Sequence, residues 1–278
     1  MINGQHRGFE IATDADGIAV ITMNDPEHLN GTTQPMKRDL TEVITQCQMD
    51  DDVRVVVITG TGRAFCAGDD MSGSRRDWSQ AEKLTPMLPP GHRDAIGTYE
   101  GLRTMSQAVN LAIRALDKPT IAAVNGIAIQ TGLTLALACD FRIASSDARL
   151  GSATLRFGLL PDEGGHALVV QLIGLAKALD FFLRKRILSA DEALELGLVN
   201  KVVAPDQLMD ATMTLARELT AGPQVAMRLL KRSLYNAAEM TLAHAFDDIA
   251  ARTAISDHHP DAAEGVAAFR DKRPPKFS

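Results

Sequence analysis

The chain is poor in cysteine, has no excess of basic charge, and lacks the short motifs that mark phosphate-cradling or serine-hydrolase sites. Its three cysteines, Cys47, Cys66 and Cys139, lie far apart and without a repeated metal-ligand spacing, which argues for free thiols over a disulfide framework or a zinc site. Cys66 sits in an unusual turn, but no nearby histidine would activate it, so it reads as a small side chain packed beneath that turn. A formal net charge of -6 argues against a nucleic-acid partner, because phosphate-backbone binding needs a concentrated basic surface. A local basic patch for an anionic small molecule is still allowed. The start MINGQHRGFE carries no apolar segment, and no uninterrupted stretch approaches the ~20 apolar residues that cross a bilayer. No membrane insertion is therefore expected, and the cytoplasm is the expected compartment. GTGR, Gly60 to Arg63, does not complete GxxxxGK[ST] or GxGxxG, and no GxSxG elbow occurs. His258, His259 and Asp261 surround Pro260 and fit an exposed turn before the last helix better than a metal site.

What is present is ordinary globular material: 278 residues, 45% hydrophobic and 23% charged, enough for a large core in one or two domains. GFEIAT and GIAVITM, separated by DADG, predict a hairpin or adjacent edge strands. A helix is predicted from about Pro35 to Cys47, then strands at Arg54 to Thr59 and Thr120 to Val124, the latter after a helical stretch Tyr99 to Leu116. NGIAIQTGLTLALACD reads as a glycine-containing turn followed by a compact apolar helix, FRIAS as a further strand, and a helix follows PDEGG. From Gly174 onward helices dominate, and SADEALELG has the Ser189 to Glu192 capping-box spacing. The expectation is an α/β core over residues 1–195 and a helical region over 196–278, with the alternative that the latter extends one core. Met71 to His92 mixes charges with LTPMLPPG and reads as a long loop, either covering a site or merely a surface insertion.

Two turns share a mechanical character. CAGDD follows the first apolar strand and IQTGL the second. If each turn opens a helix, the amides near Asp69 and Thr131 lack intrahelical acceptors and can converge on an anion. Such preorganised amides supply ~3 to 4 kcal/mol each to an oxyanionic transition state. The amide of Asp69 is then a stronger catalytic candidate than its carboxylate, which is expected to turn outward because like charge opposes an oxyanion. Either turn alone also fits simple helix capping.

Several ordered motifs resemble the crotonase, or enoyl-CoA hydratase/isomerase, family: NDPEHLNG, GTGRAFCAGDDM, KPTIAAVNGIAIQTGLTLALACDFRIAS, FGLLPDEGG, SADEALELGLVNKVV and EGVAAFRDKRPPKF. The resemblance covers nearly the whole chain. It implies an α/β spiral of ββα units with a C-terminal helical region, assembled into a homotrimer or hexamer and acting in fatty-acid metabolism. It implies an acyl-CoA thioester as substrate, with coenzyme A as part of that substrate and no separate cofactor. Two oxyanion-hole amides fall, by resemblance, at Asp69 and Thr131, with Ala67, Gly68 and Gly132 beside them.

The departures lie at the acids. The family's hydratases use two glutamates, and the matching positions here are Thr134 and Thr154, neither of which has a pKa suited to proton abstraction near neutrality. A third family acid position corresponds to Asp162, which points to a double-bond isomerase in which Asp162 removes and returns a proton. An atypical hydratase, a thioester hydrolase and a non-enzymatic acyl-CoA-binding scaffold are the alternatives. Asp162 can instead cap the following helix, Glu163 is read as a cap or supporting contact with catalysis as the lesser alternative, and His166 as a surface or helix-packing histidine, with tuning of a carboxylate as the lesser alternative. Asp25 stands where the resemblance expects a basic contact for coenzyme A; Arg63, Lys272 or a side chain of a partner subunit could compensate. Leu133, Leu155 and Phe157 suit either an acyl pocket or the core.

Overall fold

The computed structural model describes residues 3–70 and 94–278, so the Met71 to His92 loop lies outside the described residues. Strands β1 (Gly4–His6), β2 (Phe9–Thr13) and β3 (Ile18–Met23) form an antiparallel meander. Its second turn is set by Asp14, whose carboxylate accepts from the amides of Asp16 and Ile18 at 3.0 and 2.9 Å. Helix α1 (Gln34–Met49) starts at Thr33, whose hydroxyl accepts from the Met36 amide, with Pro35 in its first turn.

From here the chain repeats one unit. β4 (Val55–Gly60) and β5 (Ala64–Cys66) are followed by α2 (Ala95–Gly101), a π-helical turn at Leu102–Ser106 and α3 (Ala108–Ala115). β6 (Thr120–Val124) and β7 (Ile127–Ile129) lead to α4 (Thr131–Ala138). β8 (Phe141–Ser145) and β9 (Arg149–Gly151) lead through a 3-10 turn at Thr154–Phe157 to α5 (Gly165–Leu183). β10 (Ile187–Ser189), α6 (Ala190–Leu196) and β11 (Lys201–Val203) precede α7 (Leu208–Thr220), α8 (Gln224–Ala237), α9 (Leu242–Asp257) and α10 (Pro260–Asp271). In each ββα unit the first strand joins a seven-stranded sheet, ordered β1-β2-β3-β4-β6-β8-β11, and the second joins a four-stranded sheet, ordered β10-β9-β7-β5. The chain thus winds as a spiral between two sheets, the ββα architecture expected from the sequence.

The core follows from the strand period of two. Val55 and Val57 of β4 face Leu208 and Ala216 of α7, while Val56 and Ile58 face the main core between the sheets and α1, α3 and α4. β4 is buried on both sides, which explains its unbroken apolar run. β11 and α7, both beyond residue 195, join this same sheet and its cover. Asp140, just before β8, ties α8 down: it accepts from the Thr120 amide at 2.7 Å, from Lys231 Nζ at 2.7 Å and from the Tyr235 hydroxyl.

The capping box of α6 is present, with Ser189 and Glu192 exchanging both bonds and Gly197 closing the helix in the left-handed region. His259 caps α10, in keeping with a turn before the last helix, but Asp261 is buried and not exposed, its Oδ1 accepting from the Ser278 amide at 2.9 Å. By length and composition α5 is apolar enough to cross a bilayer, although His166, Gln171, Lys177 and Asp180 interrupt it, so no uninterrupted apolar run of that length is present in it. Its helix is broken at Gly174 (φ 78°, ψ 165°), so it consists of two shorter segments, and Leu172, Leu175, Leu179 and Leu183 are left uncovered.

Candidate active site

The two glycine turns meet. A β-carbon on Gly132 would lie 2.0 Å from the Cys66 carbonyl oxygen, so only glycine lets the first turn of α4 rest on the end of β5. Gly68 holds φ 110°, and its carbonyl accepts from the Thr32 amide at 2.9 Å while the Asp70 amide donates to the Thr32 carbonyl at 2.9 Å. These bonds make Thr32 and Asp69 an isolated parallel bridge. Alternation along an extended chain directs the Asp69 amide away from Thr32. CAGDD therefore presents its amide from a strand edge; a helix start at this turn is not seen among the described residues. Thr131 is the first residue of α4, where its amide has no acceptor within the helix. Ala67 is fixed beneath the turn by donating its amide to the Leu29 carbonyl at 3.0 Å.

The Asp69 side chain does not simply turn outward, as charge repulsion alone predicts. Its Oδ1 accepts from the Thr32 hydroxyl at 2.7 Å, from the Thr131 hydroxyl at 3.0 Å and from Lys37 Nζ at 2.7 Å. The side chain as a whole is 45% exposed, so one oxygen is engaged inward while the group keeps contact with solvent. Lys37 projects from α1 into the interior, only 1% exposed, and also pairs with Glu163 Oε1. Burial pulls the Lys37 pKa down, but Glu163 and Asp69 outweigh it and hold the ammonium above its ordinary value. Burial pushes the Glu163 carboxyl up, against the pull of Lys37.

The neighbouring acids diverge. Gln107 Nε2 donates to the Asp162 carbonyl at 2.8 Å and Asn110 Nδ2 to the Glu163 carbonyl at 3.1 Å, which fixes this backbone against α3. Glu163 then points inward and is 2% exposed, whereas Asp162 is exposed. Asp162 does not cap α5: the N-cap is Gly164 at φ 97°, with no side-chain bond. Its Oδ1 instead lies 3.4 Å from Gln130 Nε2, beside the turn that carries Thr131. Gln130 Oε1 accepts from the Ser152 hydroxyl at 2.9 Å, and Ser152 Oγ lies 3.2 Å from Thr154 Oγ1. Thr134 is buried, donates to the Gln130 carbonyl at 3.0 Å, and sits where a β-carbon on Gly165 would come within 2.7 Å of its hydroxyl.

Other candidates sort plainly. His166 Nδ1 lies 2.7 Å from the Pro161 carbonyl, which can only accept, so this histidine engages backbone and not a carboxylate. Leu133 is core at 1% exposure, Phe157 stands out at 72%, and Asp25 pairs with His28 at 2.8 Å. Burial pushes the Cys66 thiol up to about 12, in keeping with an inert packed residue. A surface hollow lined by Asp14, Asp16, Asp51, Asp52, Arg54 and Arg217 contains none of the site residues. Lys37 is the residue that sequence reasoning missed. The signal was available, since Lys37, Leu40 and Ile44 share one helical stripe and a lysine on such a stripe requires a buried partner.

Comparison with known proteins decides the family. The enoyl-CoA hydratase/isomerase family pattern matches residues 13–278. The chain belongs to the enoyl-CoA hydratase/isomerase family. At family level it is an acyl-CoA-binding enzyme of the crotonase superfamily. Among its crotonase-family relatives are a 1,2-epoxyphenylacetyl-CoA isomerase of Escherichia coli, 34% identical over 94% of this chain and 95% of the relative, and a short-chain-enoyl-CoA hydratase of Clostridium acetobutylicum, 32% identical over 92% of each. An enoyl-CoA hydratase structure from Mycobacterium smegmatis superposes with a TM-score of 0.86 at 31% identity, covering 97% of this chain and 98% of that one.

Proposed function

We propose that the protein shifts a double bond, or carries out a related enolate reaction, on an enoyl-CoA or dienoyl-CoA thioester, with Asp162 as the acid/base and the amides of Asp69 and Thr131 holding the thioester oxygen. The observation that carries this reading is the divergence of the two adjacent acids: Asp162 is exposed beside the Thr131 turn, while Glu163 is spent on a buried ion pair with Lys37. Threonines at both hydratase positions remove the usual means of adding water. An isomerase of a CoA thioester among the relatives is consistent with this chemistry. In the proposed reaction Asp162 takes a proton from the carbon chain, negative charge moves onto the thioester oxygen, and the two amides stabilise it. Protonated Asp162 then returns the proton at another carbon, which leaves mass unchanged.

The test is a panel of short enoyl-, dienoyl- and aryl-containing CoA thioesters followed by product mass and deuterium incorporation. Asp162→Asn keeps shape but removes proton exchange, so turnover should fall roughly 10²- to 10⁴-fold with less effect on binding. Glu163→Gln is the comparison. Normal exchange in Asp162→Asn with loss only in Glu163→Gln would reverse the two roles. A product heavier by one water would establish hydration instead, and release of free coenzyme A would establish hydrolysis.

We further propose assembly into trimers or hexamers. Support comes from the uncovered apolar side chains on α5 and from Leu242, Phe246 and Ile249 of α9, with Phe269 of α10 at 86% exposure.

A further inference from the structure

The residue that offers one amide of the proposed oxyanion hole is an aspartate, and the charge of its own side chain opposes the negative oxygen the hole should hold. At about 5 Å two like charges in a partly buried site repel by several kcal/mol at an effective dielectric near 20. The structure answers this with a cation. Lys37 Nζ, 1% exposed, lies 2.7 Å from Asp69 Oδ1, and the same oxygen takes the Thr131 hydroxyl at 3.0 Å and the Thr32 hydroxyl at 2.7 Å. Thr131 is the residue that offers the other amide. Thus the two donor residues are joined to each other, side chain to side chain, through one carboxylate oxygen that faces a buried ammonium shared with Glu163.

We propose that Lys37 is a positioning residue of the oxyanion hole: it holds Asp69 against Thr131, fixes the spacing of their amides, and, though shared with Glu163, offsets part of the charge that would disfavour an enolate. This rests on the oxyanion reading above. A bland account is available, in which Lys37 serves only as the buried counter-ion of Glu163, and the two accounts make opposite statements about Asp69. If Lys37 only balances Glu163, removing both together leaves the hole intact. If Lys37 acts on the hole, removing both leaves an uncompensated Asp69, and neutralising Asp69 as well restores function. A positively charged side chain that reaches the interior for either purpose stays protonated, in line with the direction of its pKa.

The experiment uses the full-length protein with butyryl-CoA carrying ¹³C at the thioester carbon, and reads the carbonyl stretch of the bound ligand by isotope-difference infrared spectroscopy. Turnover is followed on the substrate found in the panel. Glu163→Gln provides the reference, to which Lys37→Met and then Asp69→Asn are added, so that no variant carries an unpaired buried Glu163. Relative to Glu163→Gln, the added Lys37→Met should cut the carbonyl shift by more than half and lower turnover about 10- to 100-fold, somewhat less than loss of a whole oxyanion donor. Adding Asp69→Asn should recover most of both. Thermal melts of the three variants check that they are folded, and the spectroscopic recovery separates the charge effect from a general loss of structure. An unshifted carbonyl in the wild-type complex would remove the oxyanion reading and this inference with it. A shifted carbonyl in the wild type that is equally shifted after Lys37→Met, or a loss that Asp69→Asn does not recover, would overturn the role of Lys37 while leaving the oxyanion reading in place.

Discussion

At Gln130 the backbone adopts φ 52°, ψ -105°, a region that a residue with a β-carbon enters only under constraint. The constraint is visible in its side chain, which spans Ser152 on one side and Asp162 on the other. Strain of this kind costs of order 1–3 kcal/mol and glycine relieves it, less about 0.5–1 kcal/mol for glycine's own chain entropy. Gln130→Gly should therefore leave the protein as stable or roughly 1 kcal/mol more stable by denaturant unfolding, while losing the contact that steadies Asp162. On the proposed mechanism, turnover should fall at the same time. A stability gain with full activity would show that Asp162 needs no such support; a stability loss would show that the side-chain bonds outweigh the strain.

At the scale of an element, the chain end beyond α10 is held by Glu264, whose two oxygens take Arg273 at 2.7 and 2.9 Å and whose Oε1 also accepts from the Lys276 amide at 2.7 Å. The Arg273 hydrogen bonds and then the Lys276 amide lower the Glu264 pKa to about 2. The sign follows from linkage. A carboxylate with a depressed folded pKa adds stability above its unfolded value, near 4.5, and that stability is lost as the pH falls from there toward about 2. Glu264 is a partly exposed surface side chain, so its effect should be small and should shrink in salt. Thermal melts of wild type and Glu264→Gln should differ above pH 4.5 and converge as the pH approaches 2. A difference that grows on acidification would contradict the pairing.

For the whole molecule, the leucines at 172, 175, 179 and 183 and the apolar residues Leu242, Phe246, Ile249 and Phe269 of α9 and α10 are large hydrophobic side chains left exposed. Each large side chain withdrawn from water contributes about 1.5–3 kcal/mol, so a closed assembly has ample driving force. Sedimentation across a concentration series should show a trimer or hexamer. Replacing Leu175 and Leu179 together by glutamate should shift the species toward monomer without altering the circular dichroism of dilute protein, if that face is the contact. A persistent monomer in the wild type would overturn the assembly proposal.

The sequence by itself determined the features whose cause is local. The long apolar strands β4 and β6 are continuous runs because both their faces are buried, and the capping box of α6 is written in residues 189 and 192. The glycine turns and the family motifs likewise sit in contiguous stretches, which is why the ββα architecture and the candidate turns could be read in advance. The tertiary structure decided whatever depends on contacts between distant segments. The strands β5, β7, β9 and β10 are three residues long, too short to show a period, and become strands only by pairing with one another in the second sheet. The direction of the Asp69 carboxylate went against an argument from its own charge because that argument lacked the cation. Lys37 stands 126 residues before Glu163, and only the tertiary fold, which sets α1 beside the segment preceding α5, brings an ammonium, two carboxylates and the first residue of α4 into one cluster. Hydrophobic patterning can require that a lysine on an apolar stripe find a partner, but which partner it finds is fixed by the fold.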